Sequence, residues 1–365
     1  MSRNLRLARR CLETGLLAAG MGMAGSACAP AASAGTESNA TVPATRIVAV
    51  DAPSNLGLRP PAPGVEPGAR KAPAALRATG LLQRLGARDA GRVQAPVYSP
   101  DPDRVVGFRN GSALAGYSRT LADRLGPLLD GDEFVLVLGG DCSVLLGSGL
   151  ALKRRGRYGL AFVDAHDDYS YARDRKRYRG YYTAAGLDLG LATGHGPAAL
   201  TDIDRLSPYL RESDVVQLGL SRTQQDSDYA ETESFDASGI HTIGVDAIRR
   251  SARAAGADAR ARLEATDTQG YWIHVDADVL DARAMPAVDS PNGRGLSYAQ
   301  LRALLAPLLA SPKAVGLELT IYDPDLDPDG RYGARLARAI EGAFADSGRF
   351  AVAADGSPRA GGGRR

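Results

Sequence analysis

Short uninterrupted apolar runs recur along the chain, separated by stretches in which apolar positions fall three or four residues apart. Ile47-Val48-Ala49-Val50 is β-branched and without polar alternation, as expected of a strand buried on both faces. Comparable runs follow at residues 134–138, 159–163, 215–218, 271–275 and 314–319. Between them the spacing predicts helices over 75–85, 113–129, 143–155, 246–265 and 298–310. In the first of these, Leu76, Leu81, Leu82 and Leu85 form the apolar side. Residues 52–71 are rich in Pro and Gly and predict loop. Apolar strands alternating with helices predict a parallel sheet covered on both faces. No repeat and no second composition regime interrupts the pattern, so residues 46–350 read as one α/β domain.

The chain ends follow a different pattern. Arg3, Arg6, Arg9 and Arg10 stand in the first ten residues with no acid among them. An apolar stretch over 16–27 and the small-residue sequence Ala32-Ser33-Ala34 follow. This order predicts a signal peptide over 1–34, a linker over 35–45, and export to the periplasm or beyond. The apolar stretch is too short for a stable transmembrane anchor. Arg9-Arg10 suits a twin-arginine route, but Glu13 interrupts it, so the route stays open. A lipid anchor at Cys28 is the minor alternative, since Gly25-Ser26-Ala27 lacks the usual Leu; a tail without targeting role is another. Residues 351–365, ending in Gly361-Gly362-Gly363-Arg364-Arg365, predict a disordered tail.

Charge and composition narrow the function classes. The 44 basic and 42 acidic residues nearly balance, which gives no reason to expect nucleic acid or an acidic membrane as partner. Three cysteines without a CxxC pair exclude a disulfide scaffold and a zinc knuckle. With four histidines in the chain, any metal site must lean on carboxylates.

Those carboxylates cluster. Asp164-Ala165-His166-Asp167-Asp168 follows one apolar run, and alternation in an extended strand would put residues 164, 166 and 168 on one face. Asp276-Ala277-Asp278 follows another run, with the same alternation. Carboxylates at buried strand ends repel one another unless cations neutralise them, and two divalent ions would cancel four charges. The pattern therefore points to a binuclear metal site.

Gly139-Gly140-Asp141-Cys142-Ser143, Asp164-Ala165-His166-Asp167-Asp168 and Asp276-Ala277-Asp278 resemble, in order, the three metal-binding segments of the arginase and agmatinase (ureohydrolase) family. The likeness extends through Pro53-Ser54-Asn55-Leu56-Gly57 and Pro286-Ala287-Val288-Asp289-Ser290-Pro291, over roughly residues 46–345. It implies a three-layer α/β/α fold with a mostly parallel sheet of eight strands. It implies two divalent ions, manganese by family, and hydrolysis of a C–N bond in a guanidino or amidino small molecule by a metal-bridging hydroxide. It also implies a homo-oligomer, a trimer or hexamer. Carried over residue by residue, Asp164 and Asp276 resemble the bridging ligands. Asp168 completes one metal's shell and is a candidate for proton transfer, while His166 and Asp278 complete the other.

Three departures qualify the likeness. Cys142 stands where most members place a metal-binding histidine; a thiolate there would shift preference toward zinc, iron or cobalt, or the thiol ligates nothing. The loop histidine used by arginases for proton transfer is missing from Ala184-Ala185-Gly186-Leu187-Asp188-Leu189, leaving His195 as the nearby candidate or a plain loop residue. Asp188 suits either polar contacts or a helix start. In Gly316-Leu317-Glu318-Leu319-Thr320-Ile321, the position of the guanidinium-binding Glu holds Ile321. Glu318 either takes over that role at the site or only pairs with a backbone or Arg partner. The Asp-rich segment 323–330 resembles a calcium loop in composition but lacks the final Glu and reads as a turn-rich loop, and the basic, Tyr-bearing segment 171–182 reads as a solvated loop, with a substrate-carboxylate contact as its alternative. Beside the hydrolase stand two alternatives, a catalytically silent arginase-fold protein and an enzyme gated by oxidation of Cys142.

Overall fold

The computed structural model describes residues 44–169, 182–222 and 235–351. The signal peptide, most of the linker, residues 171–181 of the Tyr-bearing segment and nearly all of the tail lie outside the described residues.

Eight strands form one sheet, every pairing parallel: β1 Ile47–Ala52, β2 Arg88–Arg92, β3 Phe134–Gly139, β4 Tyr158–Val163, β5 Val215–Leu218, β6 His241–Ile243, β7 Gly270–Asp276 and β8 Ala314–Thr320. Their order is β2-β1-β3-β8-β7-β4-β5-β6. The helices are α1 Ala72–Ala78, α2 Leu81–Leu85, α3 Gly111–Leu129, α4 Val144–Lys153, α5 Asp188–Ala192, α6 Ala198–Thr201, α7 Val245–Arg250, α8 Ala252–Ala265, α9 Tyr298–Leu309 and α10 Arg331–Ser347.

Strand alternation divides the interior into two cores. Ile47, Phe134, Leu136, Ala161, Ile273 and Leu317 join Leu263, Leu304 and Leu336 from α8, α9 and α10 on one face. Val48, Val135, Val137, Leu160, Phe162 and Trp272 join Leu114 and Leu121 from α3 and Leu146 and Leu150 from α4 on the other. This is the expected three-layer α/β/α arrangement.

The differences from expectation are local. β2 and β6 carry no apolar run: β2 buries only Ala90, and β6 reads His241-Thr242-Ile243. As outermost strands they need not be apolar on both faces. The helix expected over 75–85 is broken by Gly80, whose φ of +80° no other residue type adopts cheaply. The helix expected over 246–265 breaks at Ser251, which has non-helical backbone.

Candidate metal centre

The three motif segments leave the sheet at the carboxyl ends of β3, β4 and β7, close together in strand order. Open α/β sheets form their sites at such ends.

After β3 the chain turns sharply through Gly140. A Cβ there would lie 1.9 Å from the Ser54 carbonyl oxygen, so only glycine permits the approach. Buried Asp141 then fixes the turn, accepting hydrogen bonds from Ser54 Oγ at 2.6 Å and Ser143 N at 3.0 Å. Cys142, 3% exposed, is thereby held inward at the start of α4.

Alternation is not what gathers the next group. β4 ends at Val163, and Asp164–Asp168 form a turn instead of continuing the strand. Asp164 Oδ1 accepts from His166 N at 2.9 Å, and Asp168 takes a left-handed backbone with φ 41°. Likewise β7 ends at Asp276, and Asp278 sits in the one-turn 3-10 helix Ala277–Val279.

The result is two adjacent groups of donors. Cys142, Asp168 and Asp276 bring ligand atoms within 4.8 Å of one another, and so do Asp164, His166 and Asp278. His166 Nδ1 lies 3.4 Å from Asp164 Oδ1 and 3.6 Å from Asp278 Oδ2. Cys142, Asp164, Asp276 and Asp278 are buried, whereas His166 keeps about a third of its side chain exposed. The accessible side of the site is therefore the side of His166 and Asp168.

The electrostatics describe a site crowded with negative charge. Burial first, then mutual repulsion, pushes the carboxyls of Asp164, Asp168 and Asp278 above the usual carboxylate range. His166 is pushed up as well: Asp278 and Asp164 outweigh the burial that opposes its charge. Burial also raises the Cys142 thiol, and Asp276, Asp188 and Asp278 raise it further. Asp276 alone among these acids is lowered, because nearby His274 and the donor Thr320 Oγ1 overcome its burial. Asp164 Oδ2, Asp276 Oδ2 and Asp278 Oδ1 are buried without any hydrogen-bond partner among the described residues. Native interiors rarely leave so many acceptors unmet in one place, and the donor set fits divalent cations.

Glu318 has neither a backbone nor an Arg partner in the described hydrogen bonds. It is fully buried beneath the site; Oε1 lies 2.7 Å from His274 Nδ1, and Oε2 accepts from Ser148 on α4. With both oxygens engaged it presents no carboxylate to a substrate. Ile321 is 2% exposed, with φ 65°, a costly conformation for a β-branched residue; its N–H donates to Gly140 O at 2.7 Å. His195 stands apart from both donor groups, bound to Glu212 and Tyr169 at 2.7 and 2.9 Å.

Two further residues belong to the centre: Asp188, read from sequence as a polar contact or a helix start, and His274, which carried no role there. Asp188, at the first turn of α5, is completely buried, and the charges of Asp168, Asp276 and Asp164 add to the burial that raises its carboxyl. His274 lies two residues before Asp276 on β7. Alternation from Asp276 is the signal that places His274 on the site's side of the sheet. The Asp-rich segment is a turn: Asp323 accepts from Gly68 N, Asp325 pairs with Lys71, and Asp327 accepts from Tyr332 N and Gly333 N.

Comparison with known proteins places this geometry. A model of the arginase family matches residues 62–343. An arginase of Staphylococcus aureus strain MSSA476 is 26% identical over 319 residues, covering 82% of this chain and 98% of the relative. A formimidoylglutamase of Aeromonas hydrophila is 30% identical over 279 residues, covering 75% of this chain and 79% of the relative. The arginase structure from Bacillus caldovelox superposes with a TM-score of 0.71 at 24% identity, over 82% of this chain and 98% of that one, and so shares the fold. A match of this extent, with the three motif segments at neighbouring strand ends, makes the chain a member of the arginase family.

Proposed function

We propose that the protein is a metal-dependent hydrolase that cleaves a C–N bond of a guanidino or amidino compound. The observation that carries this reading is the pair of adjacent donor groups at the strand ends, with buried oxygens that lack partners. Asp164, His166 and Asp278 would hold one ion, and Cys142, Asp168 and Asp276 the other. The family points to manganese; a thiol donor favours zinc, iron or cobalt. When bound, such ions supply Lewis-acid chemistry, lowering the pKa of a water and polarising the amidine.

The chain's own residues do the rest. Asp168, part-exposed in its donor group, would take a proton from the attacking water and return it to the departing amine. The buried walls around Cys142, Asp276 and Asp278 exclude competing water. With Glu318 engaged and Ile321 apolar, β8 offers no carboxylate to a guanidinium. That favours a less basic amidine, such as a formimidoyl group, over arginine. The chemistry of the Aeromonas hydrophila relative, named a formimidoylglutamase, is in line with this choice.

The test is release of urea, formamide or ammonia from arginine, agmatine, guanidinobutyrate, formimidoylglutamate and hydroxylated arginine, with Mn, Zn, Fe or Co supplied. Turnover of at least one compound, abolished by chelation, is expected; no turnover with any metal contradicts the hydrolase. A silent binding protein is the second reading, favoured by Ile321 and by the absence of histidine from residues 184–189. We further propose that the chain is exported and acts as a trimer or hexamer. A native chain starting after Ala34, read by intact mass, is expected; retention of residues 1–34 would contradict export. Light scattering at the mass of one chain would contradict the oligomer.

A further inference from the structure

The imidazole missing from position 142 has a counterpart one strand away. In the sheet register His274 of β7 lies between Phe162 of β4 and Glu318 of β8. Its ring stacks on Phe162, with centroids 4.9 Å apart and planes 5° from parallel. Nδ1 meets Glu318, which is held in turn by Ser148. The carboxylate against Nδ1 makes that nitrogen a donor and leaves Nε2 as the nitrogen that faces the strand end. Metal-binding histidines are commonly held in this way, by a carboxylate on the nitrogen away from the metal.

The other side of the ring faces acceptors. His274 is fully buried, and among the described residues Nε2 makes no well-aligned hydrogen bond. It stands 3.2 Å from Asp276 Oδ1 and 3.6 Å from Asp188 Oδ2. Asp188 Oδ1 accepts from Leu189 N, while Asp188 Oδ2 and Asp276 Oδ2 are buried without partners. Carboxylate oxygens gathered round a buried ring nitrogen need positive charge among them, and a metal ion would meet the oxygens of Asp188 and Asp276 that a single proton on Nε2 leaves unpartnered.

We propose that His274 is a metal ligand of the Cys142, Asp168 and Asp276 group, with Asp188 beside it, so that strand β7 supplies the imidazole which most family members carry on the loop at position 142. This rests on reading the two donor groups as metal-binding. It leaves each group with one histidine, His166 in one and His274 in the other. It also gives Glu318 a task other than substrate contact, which is to hold the His274 ring in its binding tautomer.

The test is nitrogen NMR of the full mature chain labelled in its histidines, stripped with chelator and then given two equivalents of zinc. The chain has four histidines, and two imidazoles are expected to gain a metal-bound nitrogen signal. His195→Ala and His241→Ala variants, altered outside both groups, are expected to keep that count at two. His274→Gln is expected to lower it to one and to cut zinc retention on dialysis from two ions per chain to one. Should that variant fail to fold, the count in the unaltered protein still decides. One responding imidazole overturns the role of His274 and leaves the metal-centre reading standing. No responding imidazole overturns both. A second proton on Nε2 that persists after zinc is added also overturns the proposal, because His274 would then be a buried imidazolium donating to Asp276.

Discussion

Cys142 is the largest chemical difference from the family pattern at the level of single residues. Burial and surrounding carboxylates hold its thiol well above its ordinary pKa, so it keeps its proton until a cation displaces it. Cys142→His restores a harder nitrogen donor. The variant is expected to raise preference for manganese over zinc by about tenfold, read by competition dialysis; an unchanged ratio would place Cys142 outside the coordination. Glu318 bears on metal binding through His274. Glu318→Gln is expected to weaken zinc binding by about 10–100-fold while the fold persists. Lowered thermal stability with unaltered zinc affinity would assign Glu318 a packing role alone. The acidic motif residues were readable from sequence because they lie close together after apolar runs. The support of His274 by Glu318 and Ser148 was not, because those residues are 44 and 170 positions from their partners in sequence and meet only through strand register and the seat of α4.

Secondary-structure elements were legible in proportion to their burial. The central strands announced themselves as apolar runs, whereas the exposed β2 and the three-residue β6 carry no such signal. The turns that gather the site were also hidden, since a strand continued through Asp168 fits the sequence as well as the turn that forms. The Asp-rich segment after β8 illustrates a helix boundary. Asp327, 4% exposed, accepts from Tyr332 N, Gly333 N and the Tyr322 hydroxyl, capping α10 where Gly330 offers no side chain. Burial alone would raise its carboxyl, but these hydrogen bonds hold it below the usual range. A carboxyl lowered in the folded state contributes stability above its unfolded pKa and loses it as pH falls through the folded value. Asp327→Asn is therefore expected to cost about 1–2 kcal/mol at neutral pH in denaturant unfolding. The deficit should shrink as pH falls below the ordinary carboxylate range, and a deficit that does not change with pH would contradict the capping role.

For the whole molecule, alternation of strands and helices established the covered parallel sheet, and the order of the three motif segments established the family. The sheet then does what no local pattern expresses: the order β3-β8-β7-β4 brings segments more than a hundred residues apart to one rim. Buried His274, part-exposed His166 and the acids Asp164, Asp168, Asp188, Asp276 and Asp278 meet there in a space that no nearby lysine or arginine neutralises in the described hydrogen bonds and ion pairs. Divalent cations would meet that demand. Counting the divalent metal bound per chain, by elemental analysis of protein purified from its native compartment, tests it most directly. Two ions per chain is the predicted result; a folded protein that carries none, and takes up none on dialysis against Mn, Zn, Fe or Co, would contradict it.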